Sequence, residues 1–376
     1  MEIKHNFVQL AEVQLAQKTL YCAGLDPHPF GPEKNAEIYS KFGDIETQLY
    51  YEHLTGMLPG IEKEEARKMS VVLSGVEGYL RNNINIFLDK CNIRVFKPQY
   101  AFYEQFGPAG DFLLARLRYH IRKHEREKGR IICCLDCKRG DIETTQAAYF
   151  LGLMGNLLEQ WGIDYAPYDF DIINVSPWMG KDVMALQDKK KNPLLGLKLL
   201  QQGKGLIGVN KTSNPSGPDY QELHTVERGL TLQMCHVADS YAWSNEFDLE
   251  HDGLSSLGLV VGSTHPCDGS IRAAFPTTTL LVPGFRAQGG KFNYVMLELI
   301  KSGKWNGLGA MFSLSRASNY PHFENYGGSG KIENLETDLM KSVQIFREKE
   351  EEAYNLPEVA DAGIVYPFNN VSTVQA

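Results

Sequence analysis

The stretch Ile131-Ile132-Cys133-Cys134-Leu135-Asp136-Cys137-Lys138-Arg139-Gly140-Asp141 passes from an unbroken apolar run into a knot of charge. A strand with one wet face would alternate apolar and polar residues; this one does not, so Arg130 to Lys138 reads as a strand covered on both faces. Its charges gather at the carboxyl end.

The same form recurs along the chain. Leu20–Leu25, Ile93–Phe96, Phe170–Val175, Gly205–Val209, Leu257–Val261, Thr279–Val282 and Gly309–Phe312 are short apolar runs closed by polar, Gly or Pro residues. With the first stretch they make eight, and segments of helical character such as Asp111–Lys128 and Thr144–Gln160 lie between them. Eight buried strands separated mostly by helices predict an α/β protein, a (β/α)8 TIM barrel. A doubly wound sheet fits the pattern too, but no G-x-G-x-x-G follows the first strand, which counts against its dinucleotide-binding version.

A chain of 376 residues is long for such a barrel, and two spacers account for the excess. One runs from about 30 to 92, with Ile61–Lys68 and Val71–Leu88 as separate helices; the other runs from about 214 to 253 and opens on Asn214-Pro215-Ser216-Gly217-Pro218. Both read as helical insertions in a single domain spanning 1–376, followed by a tail from about 356 to 376 without strong periodicity.

Composition removes several function classes. The net charge of −8 leaves no basic surplus to neutralise nucleic-acid phosphates. No apolar run reaches the ~20 residues of a membrane span, and Met1–Lys18 reads as an amphipathic helix rather than a signal peptide. Seven scattered cysteines, an odd number, argue against a disulfide framework, so a cytoplasmic location is expected. Cys134 and Cys137 have C-x-x-C spacing, but residues three apart on a strand face opposite ways, so they read as buried small side chains rather than a metal or redox pair.

A barrel active site forms at the carboxyl ends of the strands. Those ends carry Asp26, Lys97, Asp136 with Lys138, Ser176, Ser213, Thr264 with His265, and Ser315 with Arg316; the amino ends carry nothing comparable. Asp136 and Lys138, two apart on a strand, are expected to point the same way with β-carbons about 7 Å apart. Asp141 follows after the turn at Gly140, and a lysine between carboxylates stays protonated. On spacing alone this cluster is either a catalytic group or a structural ion-pair network. The glycine-rich Pro283-Gly284-Phe285-Arg286-Ala287-Gln288-Gly289-Gly290 after the seventh strand, beside Arg316 after the eighth, has the position of a phosphate site.

At these residues the chain resembles the orotidine 5′-monophosphate decarboxylase family. Leu135-Asp136-Cys137-Lys138-Arg139-Gly140-Asp141-Ile142 matches the family's D-x-K-x-x-D signature, with Thr145 four residues beyond. In the family's order stand Gly24-Leu25-Asp26-Pro27-His28, Phe96-Lys97-Pro98-Gln99, Ser176-Pro177-Trp178-Met179-Gly180, Thr212-Ser213-Asn214-Pro215, Val260 to Thr264, Pro283 to Gly290, and Ser315-Arg316. The K-P-Q and S-N-P forms are closest to its longer, type 2 branch.

The resemblance implies conversion of orotidine 5′-monophosphate (OMP) to UMP and CO2, with no metal and no cofactor. It implies that Lys97, Asp136, Lys138 and Asp141 form an alternating charge network with Lys138 as proton donor. Asp26 would bind ribose hydroxyls, Ser213 the pyrimidine, and Gln288 and Arg316 the phosphate. Asp141 and Thr145 would reach into a neighbouring subunit's site, which implies a homodimer. Three positions depart from the family: Arg286 where a small residue is typical, Asn174 for a common threonine, and Trp178 for a common tyrosine.

Two rival functions share these features. A metal-dependent 3-keto-gulonate 6-phosphate decarboxylase resembles the chain in the D-x-K-x-x-D signature, but it needs a carboxylate where Lys97 stands. A nucleotide-binding barrel without catalysis predicts binding and no turnover. A Schiff-base aldolase needs a lysine of lowered pKa, which flanking carboxylates oppose.

Overall fold

The computed structural model describes residues 5–28, 35–43, 47–155, 161–163, 165–184, 195–247, 249–285 and 290–368. Each apolar run of the sequence becomes a strand of one closed barrel: β1 (Tyr21–Leu25), β2 (Val95–Pro98), β3 (Ile132–Arg139), β4 (Ile172–Val175), β5 (Gly205–Lys211), β6 (Leu257–Val261), β7 (Leu280–Val282) and β8 (Ala310–Leu314). All neighbours are parallel and follow chain order, and β1 closes on β8 through Tyr21 opposite Phe312. The (β/α)8 expectation holds. Helices and loops cover the strands outside, which is why nearly every strand residue is buried and the runs do not alternate.

The amphipathic N-terminal helix (Asn6–Gln17) lies across the amino ends of the strands, and its buried polar residues have a use there. Gln14 donates to Ala310 O at 2.7 Å, Asn6 to Asp171 O at 2.8 Å, and Gln17 to Thr19 O and Tyr21 O. Strand ends would otherwise carry carbonyls without donors, each a cost of about 1–3 kcal/mol when buried. The helix Leu335–Tyr354 closes the same side: its buried Glu350 accepts from the Thr19 hydroxyl at 2.6 Å and from Leu20 N–H at 2.7 Å.

Within the first insertion, helices Asn35–Ser40, Thr47–Met57 and Lys63–Asp89 are described; Tyr79 of the longest one donates its hydroxyl to Asn319 O beneath the β8 end. The second insertion holds a helix, Leu232–Glu246, and a small hairpin pairing Glu250–His251 with Leu254–Ser255. In the tail, Pro357–Asp361 is helical, and Ile364 and Phe368 are buried against the body. Among the described residues, no helix is long and apolar enough to cross a membrane.

The structure corrects two local readings. Ile61–Lys68 and Val71–Leu88 are not separate helices but run together in one continuous helix, Lys63–Asp89. Regular alternation fails within β3: its register against β4 shifts between Leu135 and Arg139, and Lys138 takes φ +44°, in the left-handed region. The strand side chains therefore do not simply alternate up to Lys138. As for the cysteine pair, burial pushes the Cys134 thiol far up, while Cys137 Sγ donates to Asn174 O at 3.3 Å, and both are free thiols.

Candidate active site

Adjacent strands bring three charges together at the carboxyl rim. Gly24 lies opposite Lys97 in the β1–β2 ladder, and Gln99 pairs with Asp136 just beyond the β2 end, so Asp26, Lys97 and Asp136 share one wall. Gly24 has to be glycine: a β-carbon there would sit 2.7 Å from Ser315 Cα, where β1 meets β8. Asp26 is held by neutral groups, its Oδ1 accepting from Gln99 N–H at 3.0 Å and its N–H donating to Asn319 Oδ1 at 3.2 Å. Asn319 also donates to Gly24 O and Ser315 O, tying the two strand ends.

Lys97 is buried, with Nζ 3.2 Å from Asp136 Oδ2. Burial alone would lower the lysine pKa, but the charges of Asp26 and Asp136 outweigh it and hold the ammonium above its ordinary range. Burial alone would likewise raise Asp136; Lys97, Lys138 and hydrogen bonds from Lys138 and Asn174 reverse that and keep the carboxylate ionised well below the usual range. Lys138 bonds Asp136 Oδ1 directly, yet 45% of its side chain remains exposed. A cation thus faces the cavity while its counter-ion stays buried.

Asn174 of β4 holds this corner. Its Oδ1 accepts from Cys137 N–H at 2.8 Å and Lys138 N–H at 2.7 Å, and its Nδ2 donates to Asp136 Oδ1 at 2.6 Å. A non-glycine residue at positive φ costs on the order of 1–2 kcal/mol and persists where its surroundings impose it. In the sequence Asn174 stands out only as a departure from a common threonine; an amide interrupting the apolar run Ile172-Ile173-Asn174-Val175 was the available signal.

These groups open into a cavity of about 340 Å3. Asp26, Lys97, Asp136, Lys138 and Asn174 line one side, and Thr212, Ser213 and Asn214 after β5 line another. Pro283, Gly284 and Phe285 after β7, with Ser315 and Arg316 after β8, form the far end. Val260, Leu281 and Phe102 give apolar walls. The arrangement suits a flat polar ring with an anionic group at a distance: ammonium groups at one end, arginine and a glycine turn at the other.

Of the nine residues singled out in the sequence, Asp26, Lys97, Asp136, Lys138, Ser213 and Arg316 share this cavity. Gln288 and the departing Arg286 lie outside the described residues. Asp141 and Thr145 are described and are not part of the lining. Asp141 stays in its own loop, its N–H donating to Gln146 Oε1 at 3.0 Å and its Oδ1 accepting from Ile142 N–H at 2.7 Å, while Thr145 is exposed on the helix Glu143–Leu153. Lys138 is therefore paired with one carboxylate of its own chain rather than flanked by two. Among the described residues, no group of three or more His, Cys, Asp or Glu converges as a metal site.

Comparison with known proteins gives a consistent picture. A family model described as orotidine 5′-phosphate decarboxylase / HUMPS family matches residues 86–302. The chain is similar to orotidine 5′-phosphate decarboxylase of Rhodopirellula baltica, 34% identical over 227 residues, covering 60% of this chain and 67% of that one. The enzyme of the same name from Deinococcus radiodurans is 32% identical over 227 residues, covering 60% and 70%. Among solved structures, orotidine 5′-monophosphate decarboxylase of Plasmodium berghei superposes with a TM-score of 0.62 at 16% identity, covering 95% of this chain and 100% of that one. OMP decarboxylase of Leishmania donovani gives 0.56 at 20% identity, covering 92% and 98%. At these identities the structures support the barrel fold.

Proposed function

The chain belongs to the orotidine 5′-phosphate decarboxylase / HUMPS family, and from that membership we propose that its rim cavity converts OMP to UMP and CO2, a step of pyrimidine biosynthesis. One observation carries this over the other chemistries of such barrels: two ammonium groups, Lys97 and Lys138, flank the ionised Asp136 on one cavity wall. A metal-assisted decarboxylase of a sugar phosphate needs a carboxylate where Lys97 stands, and a protonated lysine there repels a divalent ion.

Loss of CO2 from C6 of the orotate ring leaves a lone pair in the ring plane, outside the π system, so the ring itself stabilises it poorly. A fixed ammonium next to C6 does so electrostatically, and Lys138 then delivers its proton to C6. Asp136, beside the departing carboxylate, raises the ground-state energy and holds the Lys138 ammonium in place. Lys97 keeps Asp136 ionised. Asp26 takes the ribose hydroxyls and Ser213 the pyrimidine edge. Arg316, joined by Gln288 on the family resemblance, holds the phosphate, whose binding energy far from C6 is available to the transition state.

The same reading makes the enzyme a cytoplasmic homodimer in which Asp141 and Thr145 serve the partner's cavity. Support comes from their position off this cavity's lining and from the exposed apolar residues Ile142, Trp178 and Met179 beside the rim.

The test follows the ultraviolet change of OMP with purified protein, with and without a chelator. Turnover unaffected by chelation is expected. Folded protein that binds UMP but does not turn over OMP would establish the non-catalytic barrel instead, and activity on 3-keto-gulonate 6-phosphate that chelation abolishes would establish the metal enzyme. Lys138→Ala is expected to lower kcat by at least ~10^4-fold, through the combined loss of proton donor and fixed cation, with UMP binding changed far less.

A further inference from the structure

We propose that Asn174 is a positioning residue for the decarboxylation step, its amide both setting the conformation of Lys138 and giving Asp136 a lasting hydrogen-bond donor; the inference rests on the function proposed above. The register shift in β3 removes the backbone of Cys137 and Lys138 from the β3–β4 ladder, which resumes only at Arg139 opposite Val175. Two N–H groups are thereby left without a strand partner. Asn174 Oδ1 takes both, at 2.8 and 2.7 Å, and so replaces a stretch of ladder with one side-chain oxygen. Lys138 keeps its positive φ because this oxygen lies where its N–H points.

The other end of the amide acts on chemistry. Asp136 Oδ1 receives Asn174 Nδ2 at 2.6 Å as well as Lys138 Nζ, while Oδ2 receives Lys97. When Lys138 passes a proton to carbon, Oδ1 loses its charged donor. Asn174 remains, so the carboxylate keeps a donor on each oxygen and does not recapture a proton. A threonine at this place has one oxygen on a shorter side chain for all three bonds, whereas the amide divides them between two atoms that point in different directions.

Three measurements on the full-length protein test this: kcat and KM for OMP, the dissociation constant for UMP, and thermal unfolding. A displacement of about 1 Å in a reacting group can cost on the order of 10^2-fold. Asn174→Ala is therefore expected to lower kcat about 100-fold while KM and UMP affinity change less than about threefold. Equal losses of kcat and UMP affinity, or an unchanged kcat, would overturn the positioning role. Asn174→Asp separates the two ends, since it keeps an acceptor of the same shape but replaces the Nδ2 donor with an oxygen. It is expected to fold and still lose kcat by 10-fold or more; full activity would sink the part assigned to the amide donor.

A crystal structure of Asn174→Ala supplies a readout independent of the reaction. Lys138 is expected to leave the left-handed region and Nζ to leave Asp136. If both stay in place, the inference fails whatever the substrate. If the wild-type protein does not act on OMP but Lys138 moves, the proposed function fails while the hold of Asn174 on Lys138 stands.

Discussion

Asp136 and Asp171 are buried carboxylates at opposite ends of the same barrel, and both are kept ionised by cations that outweigh the effect of burial. At the amino-end rim, Asp171 binds Arg130 and Arg118, accepts from Cys133 N–H at 2.8 Å, and receives Asn6 on its backbone carbonyl. The neighbouring cavity, about 410 Å3, is larger than the one at the carboxyl rim, and Arg118, Arg122, Arg130 and Lys204 line it. Each of those cations is engaged locally: Arg122 and Lys204, for instance, hold Asp169 at 2.8 and 2.7 Å and also bond backbone carbonyls. Arg118 is only 2% exposed, and Arg130, although 35% exposed, is held by Asp171, Glu125, Gln9 and Asn6, whereas Lys138, 45% exposed, is paired with Asp136. Buried carboxylates and cations thus serve two ends. Where the cations are consumed by the protein, the network ties strands together; where one cation keeps an open side, the network can meet a ligand. Cavity size alone would not have picked out the carboxyl rim, since a third cavity among the outer helices, lined by Arg81, Phe112, Arg116 and Tyr119, is larger still at about 480 Å3.

Substitutions that cost activity at one end and stability at the other would sharpen this contrast. Asp136→Asn is expected to lower kcat on the order of 10^4-fold, because Lys138 loses both its charge partner and its orientation. Its thermal midpoint should fall less than that of Asp171→Ala, since Asp26 still neutralises Lys97. A large loss of stability with a small loss of kcat would show that Asp136 belongs to the structural class.

Asp171→Ala is expected to cost about 3–5 kcal/mol in denaturant unfolding, the usual effect of stranding buried cations, with kcat per folded molecule unchanged. A fall in kcat at constant folded fraction would break the division between the two ends.

Glu350 gives a gradual effect, spread over several pH units, and one of opposite sign. It also caps strand residues at the amino-end rim, but its two donors, Thr19 and Leu20 N–H, are neutral, and burial pushes its carboxyl up to about 8. A group whose folded pKa lies above its unfolded value of about 4.3 contributes stability below that value and loses it as pH rises toward the folded one. Between about pH 4.5 and 8, the wild type should therefore lose stability relative to Glu350→Gln, by at most about 1.4 kcal/mol for each pH unit. Asp171, held low, has the reverse dependence and loses its contribution as pH falls below about 4. Parallel curves for wild type and Glu350→Gln across this range would refute the assignment.

Much of the barrel was legible because parallel strands covered on both faces appear as continuous apolar runs, and all eight runs became strands. The rim residues Asp26, Lys97, Asp136, Lys138, Ser213 and Arg316 were legible because a barrel places strand carboxyl ends on one surface, however distant in sequence. Strand limits were less so. β3 ends at Arg139, one residue past the strand read to Lys138, and β8 at Leu314, two past the run read to Phe312, because ladder bonding depends on the neighbouring strand rather than on side-chain polarity. The bulge was invisible for a similar reason: D-x-K in an extended strand and D-x-K across a register shift have the same sequence.

By itself the sequence determined the number and order of strands, the rim on which the candidate site's charges lie, and the acidic net charge of −8, since periodicity and charge are properties of the chain. Only the tertiary structure decided how those charges are used. The positive φ of Lys138, the two-ended hold of Asn174, the engagement of every cation around Asp171 and the exclusion of Asp141 from its own chain's cavity all depend on what stands opposite each group. A buried charge acquires its meaning from its partners, and these come from strands and helices tens to hundreds of residues away.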